Sequence, residues 1–316
     1  MSEHYLELRD VKKYFPTSGG ALHAVDGVTF TLEKGRSIGV VGESGCGKST
    51  LGRVISRLLD ATDGEVLFKG ENILDYKGRR LKEHRREIQM IFQDPFSSLN
   101  PRKTIYNTIA EPMLTQHILK SKAEVERRVL EKMETVGLAS RYINTYPHEL
   151  DGGRRQRIGI ARALALEPEL IVCDEPVSAL DVSIQAQILN LLKRLQQEFG
   201  YTYIFITHNL SVVKHFTQEV LVMYLGQMVE KAPVKELFAN PKHPYTQALL
   251  SAIPLPNIDS TRERVLLKGE ITSPINPKDE CRFAPRCAYA CDACRKKCPP
   301  LTEMGEGHFV RCFYPL

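Results

Sequence analysis

Nine consecutive residues carry the most specific chemistry in the chain: Gly42-Glu43-Ser44-Gly45-Cys46-Gly47-Lys48-Ser49-Thr50 fits G-x-x-x-x-G-K-[ST]. The glycines let backbone N–H groups converge on phosphate oxygens. Lys48 can reach the β- and γ-phosphates, and the Ser49 hydroxyl can ligate Mg²⁺. Such a loop requires a buried strand before it and a helix after it, whose N-terminus adds partial positive charge. The run Arg36-Ser37-Ile38-Gly39-Val40-Val41 predicts that strand, and the segment through Leu58-Leu59 predicts that helix. The spacing therefore implies a nucleoside triphosphate bound with Mg²⁺.

A cradle alone hydrolyses nothing. Leu170-Ile171-Val172-Cys173-Asp174-Glu175-Pro176 supplies a second set of groups. Asp174 falls where a strand ends, at the sheet edge where ligands of open α/β folds bind, and suits the metal. Glu175 is placed to polarise an attacking water or accept its proton. Gln93 follows a strand predicted over Glu87–Phe92 and could touch both metal and water. His208 follows the buried run Tyr203-Ile204-Phe205-Ile206 and could bond the γ-phosphate.

The elements that must position these groups alternate. Residues 1 to about 35 predict strands, residues 100–165 are mostly helical, and 182–199 predicts an amphipathic helix. This pattern predicts an α/β core with a mostly parallel sheet, an N-terminal β subdomain and an inserted helical subdomain over about 95–165. Around residue 253 the prolines Pro254, Pro256, Pro274 and Pro277 mark a boundary, giving a domain over 1–253 and a small module over 254–316.

The 316 residues are 42% hydrophobic and 26% charged, ordinary for a globular protein. No apolar run is long enough to span a membrane and the first residues lack the pattern of a secretory signal. The net charge of +5 comes with basic clusters at Arg79-Arg80-Lys82 and Arg85-Arg86 that read as solvated faces, so no nucleic-acid partner is expected. Six of the eight cysteines fall at or after Cys281, which in a reduced compartment suits a local metal or cluster site.

Taken together, the order and identity of these groups resemble the ATP-binding subunits of ABC transporters over residues 1 to about 250. The resemblance rests on the loop at 42–50, Gln93, a signature near 150–154, 170–175, the D-loop Ser178-Ala179-Leu180-Asp181 and His208. Leu180-Asp181-Val182-Ser183-Ile184-Gln185-Ala186-Gln187 and His243-Pro244-Tyr245-Thr246-Gln247-Ala248-Leu249 are similar to one branch, the dipeptide/oligopeptide and nickel importers. The resemblance implies an ATPase on the cytoplasmic face of the cell membrane. It would be paired with a second ABC ATPase subunit, two membrane permease subunits and an extracellular substrate-binding protein. It assigns adenine stacking to Phe15, with Tyr14 as neighbouring candidate. A soluble single-cassette ABC ATPase and a non-catalytic nucleotide sensor are the alternatives.

The chain departs from the family at its signature. Leu-Ser-Gly-Gly-Gln is replaced by Leu150-Asp151-Gly152-Gly153-Arg154. In the family this segment completes the ATP site of the opposite subunit, so Asp151 sets a carboxylate where a γ-phosphate docks. Two unit charges about 4 Å apart repel by about 1 kcal/mol in water and about 4 kcal/mol at an effective dielectric of about 20. Arg154 could pair with Asp151 or take over the phosphate contact. One expectation is two unequal ATP sites, which favours a heterodimer; the other is a neutral, co-adapted substitution. The cysteine tail also resembles the branch: Cys281, Cys287, Cys294 and Cys312 would hold a [4Fe–4S] cluster, with Zn²⁺ or free thiols as alternatives.

Overall fold

The computed structural model describes residues 4–94, 96–119, 121–253, 265, 267, 269, 272–305 and 307–316. The chain divides into two units, Met1–Leu74 with Phe205–Leu316, and Asp75–Ile204.

The first unit opens with β1 (Leu6–Thr17) and β2 (Gly20–Leu32), paired antiparallel with Leu6 opposite Leu32 and Thr17 opposite Gly20. The buried strand β3 (Ser37–Val41) and the helix α1 (Lys48–Ile55) flank the glycine loop, the helix ending short of the predicted Leu58-Leu59. β4 (Asp63–Phe68) and β5 (Glu71–Asn72) complete a four-stranded antiparallel sheet in the order β2-β1-β4-β5. Leu6, Leu8 and Val11 of β1 are fully buried, and their neighbours are more exposed, the signature of a sheet with one wet face.

The second unit begins with α2 (Gly78–Glu87) and β6 (Ile88–Ile91). Its helical part is α3 (Ile105–Thr115), capped by the Thr104 hydroxyl, and α4 (Lys122–Thr135), opened by a reciprocal Ser121–Glu124 capping box. α5 (Gly152–Leu164) leads to β7 (Leu170–Asp174), fully buried and parallel to β6 with Ile88 opposite Leu170. α6 (Val182–Phe199) buries Ile188, Leu191, Leu192 and Leu195, an i, i+3, i+4, i+7 stripe, and stops at Gly200 in the left-handed conformation. β8 (Thr202–Ile206) falls at the division between the units.

The chain then returns to the first unit through α7 (Leu210–Phe216), β9 (Glu219–Tyr224) and β10 (Gln227–Pro233). α8 (Val234–Ala239), α9 (Pro244–Ser251) and α10 (Asp292–Lys296) follow, and β11 (Thr302–Gly305) and β12 (His308–Val310) end the chain. β3 is parallel to β9, but β9–β10, β10–β12 and β11–β12 are antiparallel. The expectation of a mostly parallel sheet is thereby corrected to a mixed one. The local reason is topological: the two-residue connection Leu225-Gly226 allows β10 only an antiparallel return on β9. Buried Glu230 of β10 secures this edge by accepting from the Lys242 and His243 amides and bonding His308 Nε2 at 2.7 Å.

Among the described residues no helix is long and apolar enough to cross a membrane. The boundary prolines Pro254 and Pro256 lie outside the described residues, whereas the cysteines from Cys281 onward belong to the first unit.

Candidate nucleotide site and signature segment

In the first unit, β3 ends at Val41 and the chain enters the loop through Gly42, at φ 149°; Gly45 and Gly47 follow at φ 79° and 103°. Two of these positions admit nothing larger than glycine. A Cβ on Gly42 would stand 2.2 Å from the Met223 carbonyl oxygen, and one on Gly47 1.9 Å from that of Ala24. A Cβ on Gly45 would meet nothing within 4 Å, so that side of the loop is open. α1 starts at Lys48 with no side-chain cap and no acid in its first turn, leaving its N-terminus suited to an anion.

Lys48 is buried and its Nζ donates to the Gly42 and Glu43 carbonyl oxygens, both at 2.9 Å. The ammonium is thus folded back into the loop that would receive phosphate. Burial raises the Cys46 thiol above its ordinary range, so this loop cysteine stays protonated. His208 is exposed just after β8, and its neighbour Thr207 donates its amide to Val40 of β3 at 3.1 Å, fixing this turn beside the strand that leads to the loop. Of the two aromatic candidates, Tyr14 is engaged: it stacks on His23 with ring centroids 3.8 Å apart and donates its hydroxyl to Asp26. The Phe15 ring is half-buried, with Lys13 Nζ 5.0 Å from its centroid.

In the second unit, Asp174 is buried at the carboxyl end of β7 and Glu175 follows at φ 46°. A left-handed glutamate is uncommon and costs about 1–3 kcal/mol; Glu167 holds the same conformation at φ 51°. Gln93 Nε2 donates to Glu175 Oε2 at 3.1 Å, so two residues 82 positions apart meet within this unit. The Glu175 carbonyl accepts from the Ser178 amide and hydroxyl at 3.2 and 3.1 Å, which fixes the turn.

The signature segment lies in the same unit. Asp151 is the N-cap of α5: its Oδ1 accepts the Arg154 amide at 2.8 Å and its Oδ2 pairs with Arg154 Nη1 at 2.6 Å. Of the two expectations for Arg154, pairing with Asp151 is the one the structure displays. The guanidinium also lies 5.3 Å from the Tyr142 ring centroid. Gly152 and Gly153 pack against the start of the next helix: a Cβ would stand 3.1 Å from Leu180 Cδ2 and 2.7 Å from Ile184 Cγ2, respectively. Asp181 N-caps α6 with no side-chain cap bond. An open cavity of about 330 Å³ beside this segment is lined by Arg141, Tyr142, Asp151, Arg154 and Arg157 among others.

The cysteine expectation fares less well. Among the described residues, no three His, Cys, Asp or Glu side chains are grouped so as to hold a metal ion, and all eight cysteines are free thiols. Cys281, Cys287, Cys294 and Cys312 nevertheless line one small cavity together. Burial pushes the Cys281 thiol up to about 12 and also raises Cys287 and Cys312, whereas hydrogen bonding from the Cys294 backbone lowers half-buried Cys291. Sequence reasoning also missed the partners of Glu43: Tyr245, quoted only as a branch marker, and Arg286.

Residues 25–178 match the family model described as "ABC transporter", and residues 229–294 match "Oligopeptide/dipeptide transporter, C-terminal region". The fold is also similar to a dimeric post-hydrolysis structure of the ATP-binding cassette MJ0796 bound to ADP and Pi, with a TM-score of 0.67, 30% identity, and 72% of this chain and 98% of that one covered. Loop, strand-end acids and fold together define an ATPase of the ABC cassette type. Similarity extends over nearly the whole chain to the oligopeptide transport ATP-binding protein AppF of Bacillus subtilis, 52% identical over 98% of this chain and 97% of that protein. It extends likewise to OppF of Escherichia coli, 53% identical over 98% and 92%, and to the dipeptide transport protein DppF of Haemophilus influenzae, 48% identical over 96% and 94%. The chain belongs to the ABC transporter ATP-binding family, and it carries the C-terminal region of the oligopeptide/dipeptide transporters. A soluble cassette or a nucleotide sensor is not favoured by these relatives.

Proposed function

We propose that this chain hydrolyses ATP to power uptake of short peptides through a membrane ABC transporter. The observation that carries this reading is identity of about half, over nearly the full length, to proteins named for oligopeptide and dipeptide transport. Its partners are two permease subunits, a second ATPase subunit and an extracellular substrate-binding protein, and it works at the cytoplasmic face of the membrane. Lys48 and the amides of Gly42–Thr50 grip the triphosphate. Ser49, Asp174 and Gln93 would hold Mg²⁺, a hydroxyl, a carboxylate and a carboxamide being oxygen donors that suit a hard cation, and the ion would supply charge neutralisation at the phosphates. Glu175 takes the proton of the attacking water, which Gln93 and His208 orient. Phe15 stacks on adenine, because Tyr14 is already held by Asp26 and His23. Co-purification of the tagged chain with two multi-span membrane proteins is expected; a chain that purifies alone from detergent-solubilised membranes of its own cells would contradict the transport role.

The Asp151–Arg154 pair supports inequality between the two ATP sites of the assembly. Asp151 itself satisfies the amide at the start of α5 and holds the Arg154 fork. An incoming γ-phosphate must displace or repel this carboxylate, whereas serine would offer a neutral hydroxyl. The site completed by this segment is therefore the slower one, and Asp181 flanks it at the head of α6. Asp151→Ser keeps an N-cap, so stability should change by well under about 1 kcal/mol, while ATP turnover per complex is expected to rise. Unchanged turnover would make the substitution a neutral co-adaptation.

Cys281, Cys287, Cys294 and Cys312 are proposed to hold a [4Fe–4S] cluster, or Zn²⁺ in its place. The support is a four-thiol donor set around one cavity; closing it requires the sulfurs to draw together and lose their protons. The group would act as a staple. Iron with acid-labile sulfide, or one zinc per chain, is the expected result of elemental analysis on anaerobically purified protein. Metal-free protein of full thermal stability would remove the proposal.

A further inference from the structure

The phosphate loop contains an acid, and its charge works against the ligand. Glu43 is the second residue of the glycine loop, and an uncompensated carboxylate there repels a polyphosphate. The chain answers with a residue 243 positions further on. Arg286 Nη1 donates to Glu43 Oε2 at 2.7 Å and Nη2 to Oε1 at 3.0 Å, a fork-to-fork pair whose arginine side chain is only 9% exposed. The Glu43 amide in turn donates to the Tyr245 hydroxyl at 2.9 Å, and Tyr245 is fully buried. Both the side chain and the backbone of this loop residue are therefore held by the C-terminal part of the unit.

The holders are themselves rigidly packed. Tyr224, Tyr245 and Phe283 form a ring cluster with centroids 4.7–5.4 Å apart. Four residues before Arg286, Arg282 donates to the Leu225 carbonyl and pairs with Asp26. Gly226, next along, donates its amide to the Cys46 carbonyl at 2.9 Å, a second connection into the loop. The segment that carries both arginines runs from Cys281 to Cys287, so two of the cavity-lining cysteines stand at its ends.

The geometry points to Arg286 and Tyr245 as positioning residues for nucleotide binding: they neutralise and immobilise Glu43, keep the loop amides in the phosphate-binding shape, and make nucleotide affinity depend on the segment Cys281–Cys287. This rests on the reading of the loop as the ATP site. The test measures Mg·ATP dissociation constants on the full chain by calorimetry, thermal unfolding of the same samples, and KM and kcat in the assembled transporter. Arg286→Ala is expected to weaken Mg·ATP about tenfold and raise KM in step, with kcat at saturation changed far less. Arg286→Lys should recover part of the loss. In a Glu43→Gln background, where no charge needs cancelling, Arg286→Ala should cost less than about twofold, a non-additivity that a merely structural arginine would not give. If Arg286→Ala does not fold, Tyr245→Phe removes the hydroxyl alone and should weaken binding about threefold. Unchanged affinity in Arg286→Ala or, failing that variant, in Tyr245→Phe, or additive effects of the Glu43 and Arg286 substitutions, would overturn the proposal. A wild-type chain that does not bind Mg·ATP would instead overturn the nucleotide reading itself.

Discussion

Glu175→Gln is expected to leave Mg·ATP bound and to lower hydrolysis by about 10²–10⁴-fold, the usual contribution of a positioned general base. The substitution is nearly isosteric, and glutamine retains an oxygen to accept from Gln93 Nε2, so the 3.1 Å contact and the turn at Ser178 should persist. What disappears is the group that takes the proton from water. The backbone at Glu175 sits at φ 46°, a strained conformation for a residue with a side chain. Arg57, Lys69, His117, Glu167 and Leu225 share that conformation, so the assignment of Glu175 rests on its place beside Asp174 and its contact with Gln93. The expected signature is an unchanged nucleotide dissociation constant with turnover near background. Turnover close to wild type would remove Glu175 from the chemistry and leave Asp174, Gln93 and His208 to be reassigned.

Gly47→Ala is expected to abolish measurable nucleotide binding and to lower folding stability by about 3 kcal/mol or more. Two penalties combine there. The backbone sits at φ 103°, which L side chains rarely adopt, and the new Cβ would lie 1.9 Å from the Ala24 carbonyl oxygen. That oxygen lies in β2 at a register shift between His23, opposite Tyr14, and Val25, opposite Lys13, and the Asp26 amide two residues on is fixed on Gly226, so it cannot retreat without disturbing the hairpin. The loop must open instead, carrying Lys48 with it. Gly45→Ala provides the comparison: its Cβ meets no protein atom within 4 Å, although φ 79° still strains it. Its stability loss should be smaller, and its binding loss should reflect the space taken from the ligand. Thermal unfolding and nucleotide titration of the two variants separate these contributions. Equal stability of Gly47→Ala and wild type would contradict the packing described around the loop.

Local patterns made much of this legible. The strand–loop–helix around Lys48 and the apolar run ending at Asp174 need only short windows, because buried strands leave continuous apolar runs and glycines mark the turn. The helices α4, α5 and α6 follow from the spacing of apolar and charged residues for the same reason. The sheet's antiparallel half was not legible: β12 pairs with β10 across about 80 residues, and three-residue strands such as His308–Val310 carry too little periodicity to read. Likewise nothing in the sequence around Glu43 announces Arg286, because their pairing is set by how distant segments pack, whereas Asp151 and Arg154 sit one helical turn apart and could be expected to meet.

The most direct test of the account is ATP-dependent peptide uptake into membrane vesicles containing the assembled transporter, with this subunit supplied as wild type or as Glu175→Gln. Uptake that requires Mg·ATP with the wild-type chain and falls to background with the variant, while both bind nucleotide equally, is the predicted result. Uptake that proceeds unchanged with Glu175→Gln, or a wild-type subunit with no affinity for Mg·ATP, would contradict it.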